Sequence, residues 1–197
     1  SLSSISFGKD KKPLTREQHE QLRWKKILRL VNEEITTIKR ARRQSQKLMY
    51  RLFELKSEKV KLYKEKENKE FVAKKMKYGK KVKRHQIFRR TIQLYKAANS
   101  FGHMLLKKYP RTHYKAAIYY TLALNSRDFA YDNKELGYLK NAIKYSKNQR
   151  KVRYLATTSL AEYYYNNKKY NMAVSQYEKI IDNREDEWLT KNLYNYG

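Results

Sequence analysis

The sequence predicts an all-α protein in which antiparallel helix pairs stack in series behind a long, charged helical hairpin. Three observations predict this class. Apolar residues recur at steps of three and four along most of the chain, no stretch alternates as a half-buried strand would, and residue types recur 38 positions apart in the second half. The 197 residues include only five Gly and two Pro, which argues against collagen-like, β-sandwich and Gly-rich-loop classes.

The N-terminal part, residues 13–82, is predicted to form a basic helical hairpin after a flexible leader at 1–12. Thr15 and Gln18 have the spacing of a capping box, so the first helix begins there and its apolar stripe continues to about Arg42. The second helix begins near Ser45. Its later part is rich in Lys and Glu, which predicts a solvated surface, and Gly79 is the expected break.

The remainder, residues 83–197, is predicted to contain helices at about 83–108, 112–126, 134–147, 150–166, 169–182 and from 187 onward. Pro110 ends the first of these, and the dipeptides Asp132-Asn133 and Lys147-Asn148 and the run Asn166-Asn167-Lys168 separate later ones. We therefore expect helices to alternate with short polar turns.

The recurrence at 38 residues links corresponding positions of successive helix pairs: Ala97 with Glu135 and Ala173, Phe101 with Leu139 and Tyr177, Met104 with Ala142 and Ile180, Leu122 with Leu160, and Ala123 with Ala161. One helix pair cannot bury its apolar face alone, so similar pairs stack. We expect the four alanines at 97, 123, 161 and 173 to be points of close approach between helices.

These residues resemble the tetratricopeptide repeat. In the unit 154–187, Leu160-Ala161 and Tyr164 stand at motif positions of the first helix, and Ala173, Tyr177 and Ile180 at those of the second. Ser126 and Glu135 depart from the motif, and the period exceeds the 34 residues of the family. The resemblance implies a right-handed α-α superhelix over 93–197. Small residues at helical spacing also occur in unrelated helical bundles, which stay the alternative.

The N-terminal hairpin ahead of such repeats is similar to the large envelope repeat proteins of gliding and predatory bacteria. The absence of Cys also slightly favours an oxidising envelope space over the cytosol. The chain begins at Ser1 rather than Met and ends within a predicted helix, so we expect it to be part of a longer protein or to carry its own terminal cap. No apolar run approaches the ~18 residues of a membrane span.

Motifs for catalysis, cofactors or metals are not found. The sequence has no Gly-rich phosphate loop, no HExxH pattern and no Ca²⁺-loop spacing. Four His are scattered, although His103 and His113 could meet across Pro110. We therefore expect that this chain is not an enzyme and binds no cofactor or metal. An enzyme domain elsewhere in a longer protein stays a possibility.

A partner-binding surface is the better prospect. In proteins that this chain resembles, the first helix of each pair lines the concave face. That resemblance implies a binding face formed by Tyr120, Leu124, Arg127, Thr158, Glu162, Tyr165 and Asn166. Tyr and Arg are common anchors of protein interfaces. The alternative is that Tyr120 and Tyr165 only pack between neighbouring helices.

The charge is strongly positive and uneven: 47 Lys and Arg oppose 19 Asp and Glu, and no acidic residue lies between Glu70 and Asp128. Nine basic residues fall within 74–90, namely Lys74, Lys75, Lys77, Lys80, Lys81, Lys83, Arg84, Arg89 and Arg90. This basic segment could be solvated surface, could bind an acidic protein or lipid head groups, or could bind nucleic acid.

The sequence thus favours a non-catalytic scaffold for protein partners, with its basic half supplying electrostatic docking. The alternative function is RNA or DNA binding through the basic segment, although base-stacking aromatics are sparse there.

Overall fold

The computed structural model describes residues 14–127 and 134–181, and these ranges contain helices and no strand. The prediction of an all-α protein is therefore confirmed. The eight α-helices of the described residues are α1 (Arg16–Arg40), α2 (Gln46–Tyr78), α3 (Arg84–Ile87), α4 (Arg89–Lys108), α5 (Lys115–Arg127), α6 (Glu135–Tyr145), α7 (Arg150–Asn166) and α8 (Tyr170–Ile181). A single 3₁₀ turn, Gly79–Lys81, follows α2.

Helices α1 and α2 form the antiparallel hairpin that the sequence predicts. Thr15 and Gln18 cap α1 reciprocally, and the Ser45 side chain accepts a hydrogen bond at the start of α2. Between the helices, the Trp24 indole donates to the Leu62 carbonyl over 2.8 Å. At the end of α2, Gly79 has φ +61°, a conformation that glycine adopts at little cost.

The helix predicted at 83–108 is divided, and this part of the prediction is wrong. It breaks at Phe88, between α3 and α4. Two tertiary contacts account for the break. The Phe88 ring is buried against Phe71 of α2, with ring centroids 5.9 Å apart, and the Glu67 carboxylate accepts hydrogen bonds from the first turn of α4. The first amides of α4 therefore bond to α2 rather than to a preceding helical turn.

Each long helix packs against the next in sequence. Helix α2 packs on α4, α5 on α6 and α7 on α8, while α4 contacts α5 and α6 contacts α7. Helix α5 also contacts both α2 and α7. The first helices of the three pairs are therefore neighbours: α2 contacts α5, and α5 contacts α7.

The main core runs through all of these pairs. Phe53 of α2 is fully buried with Leu105 of α4, Leu122 of α5 and Leu139 of α6, and the same cluster extends to Leu160 of α7. Helix α1 covers a second apolar stripe of α2, formed by Leu52, Leu55 and Leu62. The domain boundary at 82/83 stays a prediction, but the hairpin and the later helices share one core.

The 38-residue recurrence describes α5 to α8 better than α4. Ala123, Ala161 and Ala173 are buried as expected, but Ala97 is exposed, and the expectation for it is wrong. Helix α4 instead turns Ala98, Gly102 and Leu105 inward. The Phe53 ring occupies the space over Gly102, so this glycine faces α2. Ala98 and Leu105 lie on the same side of α4 as Gly102, and they therefore face the core as well.

Gly102 provides a test of this packing. A methyl group at Gly102 would lie 2.7 Å from Phe53 Cε2 and 3.0 Å from Leu122 Cδ2. We expect Gly102→Ala to lower the free energy of unfolding by about 1–3 kcal/mol through overpacking. Gly137 of α6 is the matched control, because a methyl group there would meet nothing within 4 Å. Gly137→Ala is expected to raise stability by about 0.5–1 kcal/mol through helix propensity. Urea unfolding measures both, and a stabilising Gly102→Ala would contradict this account.

A buried polar junction joins α2, α4 and α5. The Asn125 side-chain amide donates to Ser57 Oγ over 3.0 Å and to Asn99 Oδ1 over 3.2 Å, and all three residues are buried. Nearby, Ser126 lies 3.4 Å from the Tyr95 hydroxyl. Ser126, which departs from the predicted repeat motif, therefore has the Tyr95 side chain of α4 as a neighbour.

Three expectations lie outside the described residues: the leader at 1–12, the break at Asp132-Asn133 and the helix from 187 onward. In the described part of the chain, no helix combines the length and the apolar character needed to cross a lipid bilayer.

Candidate functional site

The predicted partner-binding face draws on α5 and α7. On α5, Tyr120, Leu124 and Arg127 are three and four residues apart and so lie on one side of the helix. Tyr120 is half-buried and packs on the main core, whereas Leu124 is half-buried and outside that cluster. Tyr120 therefore contributes to packing, and only part of its ring is available to a partner.

Arg127 at the end of α5 contacts both α6 and α7. Its guanidinium forms ion pairs with Glu135 of α6 at 2.9 Å and with Glu162 of α7 at 3.2 Å, and it donates to the Ser159 carbonyl at 3.4 Å. Burial opposes its charge, but the two carboxylates outweigh burial and raise the pKa of Arg127 above its usual value. The structure thus brings together two predicted binding residues, Arg127 and Glu162, and pairs them with each other.

The remaining predicted residues lie along α7. The Thr158 hydroxyl donates to the Tyr154 carbonyl one turn earlier, over 3.0 Å. Tyr165 is 59% exposed and contacts the Tyr170 ring edge to face, with centroids 5.6 Å apart. Asn166 is the exposed last residue of α7. Among the seven predicted residues, Tyr165 offers the largest exposed apolar surface.

An exposed apolar face on α8 extends this surface and was not part of the sequence prediction. Tyr170, Val174 and Tyr177 recur at steps of four and three and are all exposed, while Ala173 packs into the core. The helical spacing of these residues was a signal in the sequence. It was missed because the repeat motif assigns Tyr177 to the interior.

The basic segment lies at the end of α2, in the 3₁₀ turn, in α3 and at the start of α4. All nine of its Lys and Arg residues are exposed. Lys74 forms an ion pair with Glu70 at 2.6 Å, and the Arg84 guanidinium lies 5.0 Å from the Phe88 ring centroid. In the described ranges, Lys80, Lys81, Lys83 and Arg89 form no ion pair. The segment is therefore an exposed positive surface, and the three alternatives for its role stay open.

Glu67 differs from the solvated Lys/Glu surface that the sequence predicts for this part of α2. It is buried, and its carboxylate accepts hydrogen bonds from the Arg90 amide at 3.1 Å, from the Thr91 amide at 3.0 Å and from the Thr91 hydroxyl. Helix α4 has no side-chain cap of its own. Glu67 therefore caps α4 from a neighbouring helix and complements its dipole.

The two histidines that the sequence would allow to meet across Pro110 have different partners. His103 Nε2 lies 2.8 Å from the Tyr138 hydroxyl, and the His113 ring contacts Tyr114. Among residues 14–127 and 134–181, no three His, Asp or Glu side chains gather closely enough to hold a metal ion.

Comparison with protein-family models, with curated proteins and with solved structures finds no significant match to this chain. The likeness to tetratricopeptide repeats therefore depends on the residues discussed above.

Proposed function

We propose that this chain is a non-catalytic helical-repeat scaffold of the tetratricopeptide type, which binds segments of protein partners. The observation that carries the proposal is the serial contact between helix pairs. Helix α2 contacts α5 and α5 contacts α7, while each of these three helices packs on its own companion, α4, α6 or α8. In a solenoid, each repeat contacts mainly its neighbours in this way. The long helix α2 then supplies the first helix of the first pair, with α4 as its companion.

The surface of α7 and α8 supports partner binding. Tyr165, Tyr170, Val174 and Tyr177 are exposed apolar residues on two adjacent helices that pack together. Because the helices are already ordered, a partner would lose affinity only to the ordering of its own chain and of a few side chains. The ion pair of Arg127 and Glu162 links α5 to α7 beside this surface, and we assign these two residues a positioning role.

Site-specific photo-crosslinking tests the proposal. A photoreactive phenylalanine analogue replaces Tyr165 in one protein and Tyr78 in a control, since Tyr165 and Tyr78 have similar exposures, 59% and 54%. In extract of the native host, we expect discrete crosslinked proteins at position 165 that excess unlabelled wild-type chain removes. Unlabelled Y165A/V174A should compete at least tenfold less well. Identical products at both positions, or equal competition by the variant, would contradict the proposal.

Nucleic-acid binding is the second candidate, and the exposure of all nine basic side chains between 74 and 90 favours it. A protein that neutralises several phosphates binds with a steep dependence on salt. Filter binding with labelled RNA and DNA should then show tight binding that is lost when Lys80, Lys81, Lys83 and Arg84 are replaced by Glu. Binding that disappears at physiological salt in the unaltered protein would reject this function.

A further inference from the structure

The chain reverses direction between α2 and α4, and the reversal forms an exposed tip. The Phe71 and Phe88 rings meet with centroids 5.9 Å apart, and the 3₁₀ turn and α3 both contact α2. Residues 72–87 therefore lie beyond this ring contact, and we refer to them as the basic tip. Among these residues, only Val82 and Ile87 are half-buried, and every other residue is exposed.

The basic tip is positively charged and contains no acidic residue. Its seven Lys and Arg residues are Lys74, Lys75, Lys77, Lys80, Lys81, Lys83 and Arg84. Lys74 pairs with Glu70 at 2.6 Å, and none of the other six forms an ion pair with a described residue. Glu20 of α1 pairs with Lys69, before the tip begins. Within the described residues, the positive charge of the tip is therefore largely uncompensated.

Large apolar side chains are exposed among these cations. Met76 is 84% exposed, more than any other large apolar side chain of the described residues, and Val72 lies one turn before it on the same side of α2. Tyr78 is also exposed, and Lys77 Nζ lies 5.1 Å from the centre of its ring. One exposed apolar residue is ordinary, but three within residues 72–78 give the tip a mixed apolar and basic surface.

We propose that the basic tip binds the surface of a bilayer that contains anionic lipids. Anionic head groups attract Lys and Arg, and apolar side chains among these cations enter the boundary between the head groups and the acyl chains. Tyrosine is common at this boundary because its ring is apolar while its hydroxyl stays hydrated. The lysine stems can cover apolar surface while their ammonium groups stay among the head groups.

A bilayer accounts for more of the tip than a nucleic acid does. The phosphates of RNA or DNA would bind the cations, but Val72 and Met76 offer a nucleic acid neither charge nor a stacking ring. The tip shares no residue with the partner-binding face of α5, α7 and α8, so this inference does not depend on the scaffold function. It competes with the nucleic-acid candidate for the same basic residues, and the experiments below separate the two.

Cosedimentation of the whole chain with lipid vesicles tests the apolar part of the proposal. The vesicles contain equal parts of phosphatidylserine and phosphatidylcholine, or phosphatidylcholine alone, at an ionic strength of about 0.15 M. We expect binding to be at least about tenfold tighter with phosphatidylserine. V72S/M76S keeps every charge and should weaken this binding at least about fivefold. L22S/L30S on α1 is the matched control, because both leucines are 51% exposed, and it should bind within about twofold of the unaltered chain.

A second pair of variants tests the charge of the tip. K80Q/K81Q should weaken binding to the phosphatidylserine vesicles at least about fivefold, whereas K25Q/K26Q, which removes the same charge from exposed positions of α1, should stay within about twofold. All four variants change exposed residues, so each should keep the helical circular dichroism of the unaltered chain. Equal weakening by the two lysine variants would show attraction to net charge alone and would overturn the proposal.

A fluorescent label measures whether the tip enters the bilayer. The chain has no cysteine, so M76C and the control L30C each carry an environment-sensitive fluorophore at a single position. We expect a blue shift of the emission at position 76, and none at position 30, when phosphatidylserine vesicles are added. Vesicle binding without a shift at position 76, or full binding by V72S/M76S, overturns the proposal. Tight binding of single-stranded RNA that K80Q/K81Q weakens, with no vesicle binding, would assign the tip to nucleic acid instead.

Discussion

Phe53→Ala is expected to lower the free energy of unfolding by about 3–5 kcal/mol, the range for removal of a fully buried phenylalanine. The ring is completely inaccessible and packs against residues of α4, α5 and α6 as well as its own helix. The vacancy would lie between rigid helices that cannot collapse easily around it. Because the ring belongs to the common core, we expect the whole described array to lose stability, and not the hairpin alone.

Urea unfolding followed by circular dichroism measures this effect. Leu30→Ala on the exposed side of α1 is the control, since it removes an apolar side chain that is half exposed, and its effect should stay within about 1 kcal/mol. If Phe53→Ala produced two separate transitions, with the second at the midpoint of the unaltered chain, the hairpin would be an independent domain. That outcome would contradict a shared core.

Glu67→Ala is expected to lower the free energy of unfolding by about 3 kcal/mol or more. Its carboxylate satisfies the Arg90 and Thr91 amides and the Thr91 hydroxyl, and Thr91 is fully buried. Each buried donor left without a partner costs about 1–3 kcal/mol. Urea unfolding at neutral pH measures this loss.

Glu70→Ala, one turn later on α2, is the matched control. It removes a carboxylate of the same helix that forms an ion pair with the exposed residue Lys74, so a loss of at most about 1 kcal/mol is expected. Glu67→Gln should fall between the two, because its amide oxygen still accepts one of the hydrogen bonds. Equal stabilities for the Glu67→Ala and Glu70→Ala variants would show that the cap is energetically unimportant.

The local features of the fold could be predicted from the sequence. Thr15 with Gln18, Ser45 and Gly79 act within one or two helical turns, so their neighbours in sequence determine what they do. The all-α class follows from the helical periodicity over the whole chain. The burial of Ala123, Ala161 and Ala173 was also predictable, because the helices that carry them follow the regular 38-residue spacing.

What could not be predicted depends on contacts between distant residues. The side of α4 that faces the core is set by Phe53, which packs over Gly102, 49 positions later in the sequence. The inward position therefore falls on Ala98, one residue after Ala97, and Ala97 is exposed. In the sequence, Glu67 cannot be distinguished from the other charged residues of the Lys/Glu surface. Its role as a cap depends on its contact with the first turn of α4, which the sequence does not reveal. The pairing of Arg127 with Glu162 likewise depends on how α5 meets α7. The sequence analysis named both residues as candidates for partner binding, a prediction that stays open, and it did not predict their mutual contact.

The polar junction of Ser57, Asn99 and Asn125 restricts how α2, α4 and α5 can pack against one another. Leucine and alanine side chains tolerate many neighbours, so apolar surfaces alone would permit one helix to slide by a turn or exchange places with another. If Asn125 were displaced, buried amide and hydroxyl groups would lose their hydrogen-bond partners. In the observed arrangement, every buried side-chain nitrogen and oxygen of the described residues has a partner. Three small polar side chains thus select a single order of assembly from an otherwise permissive interior.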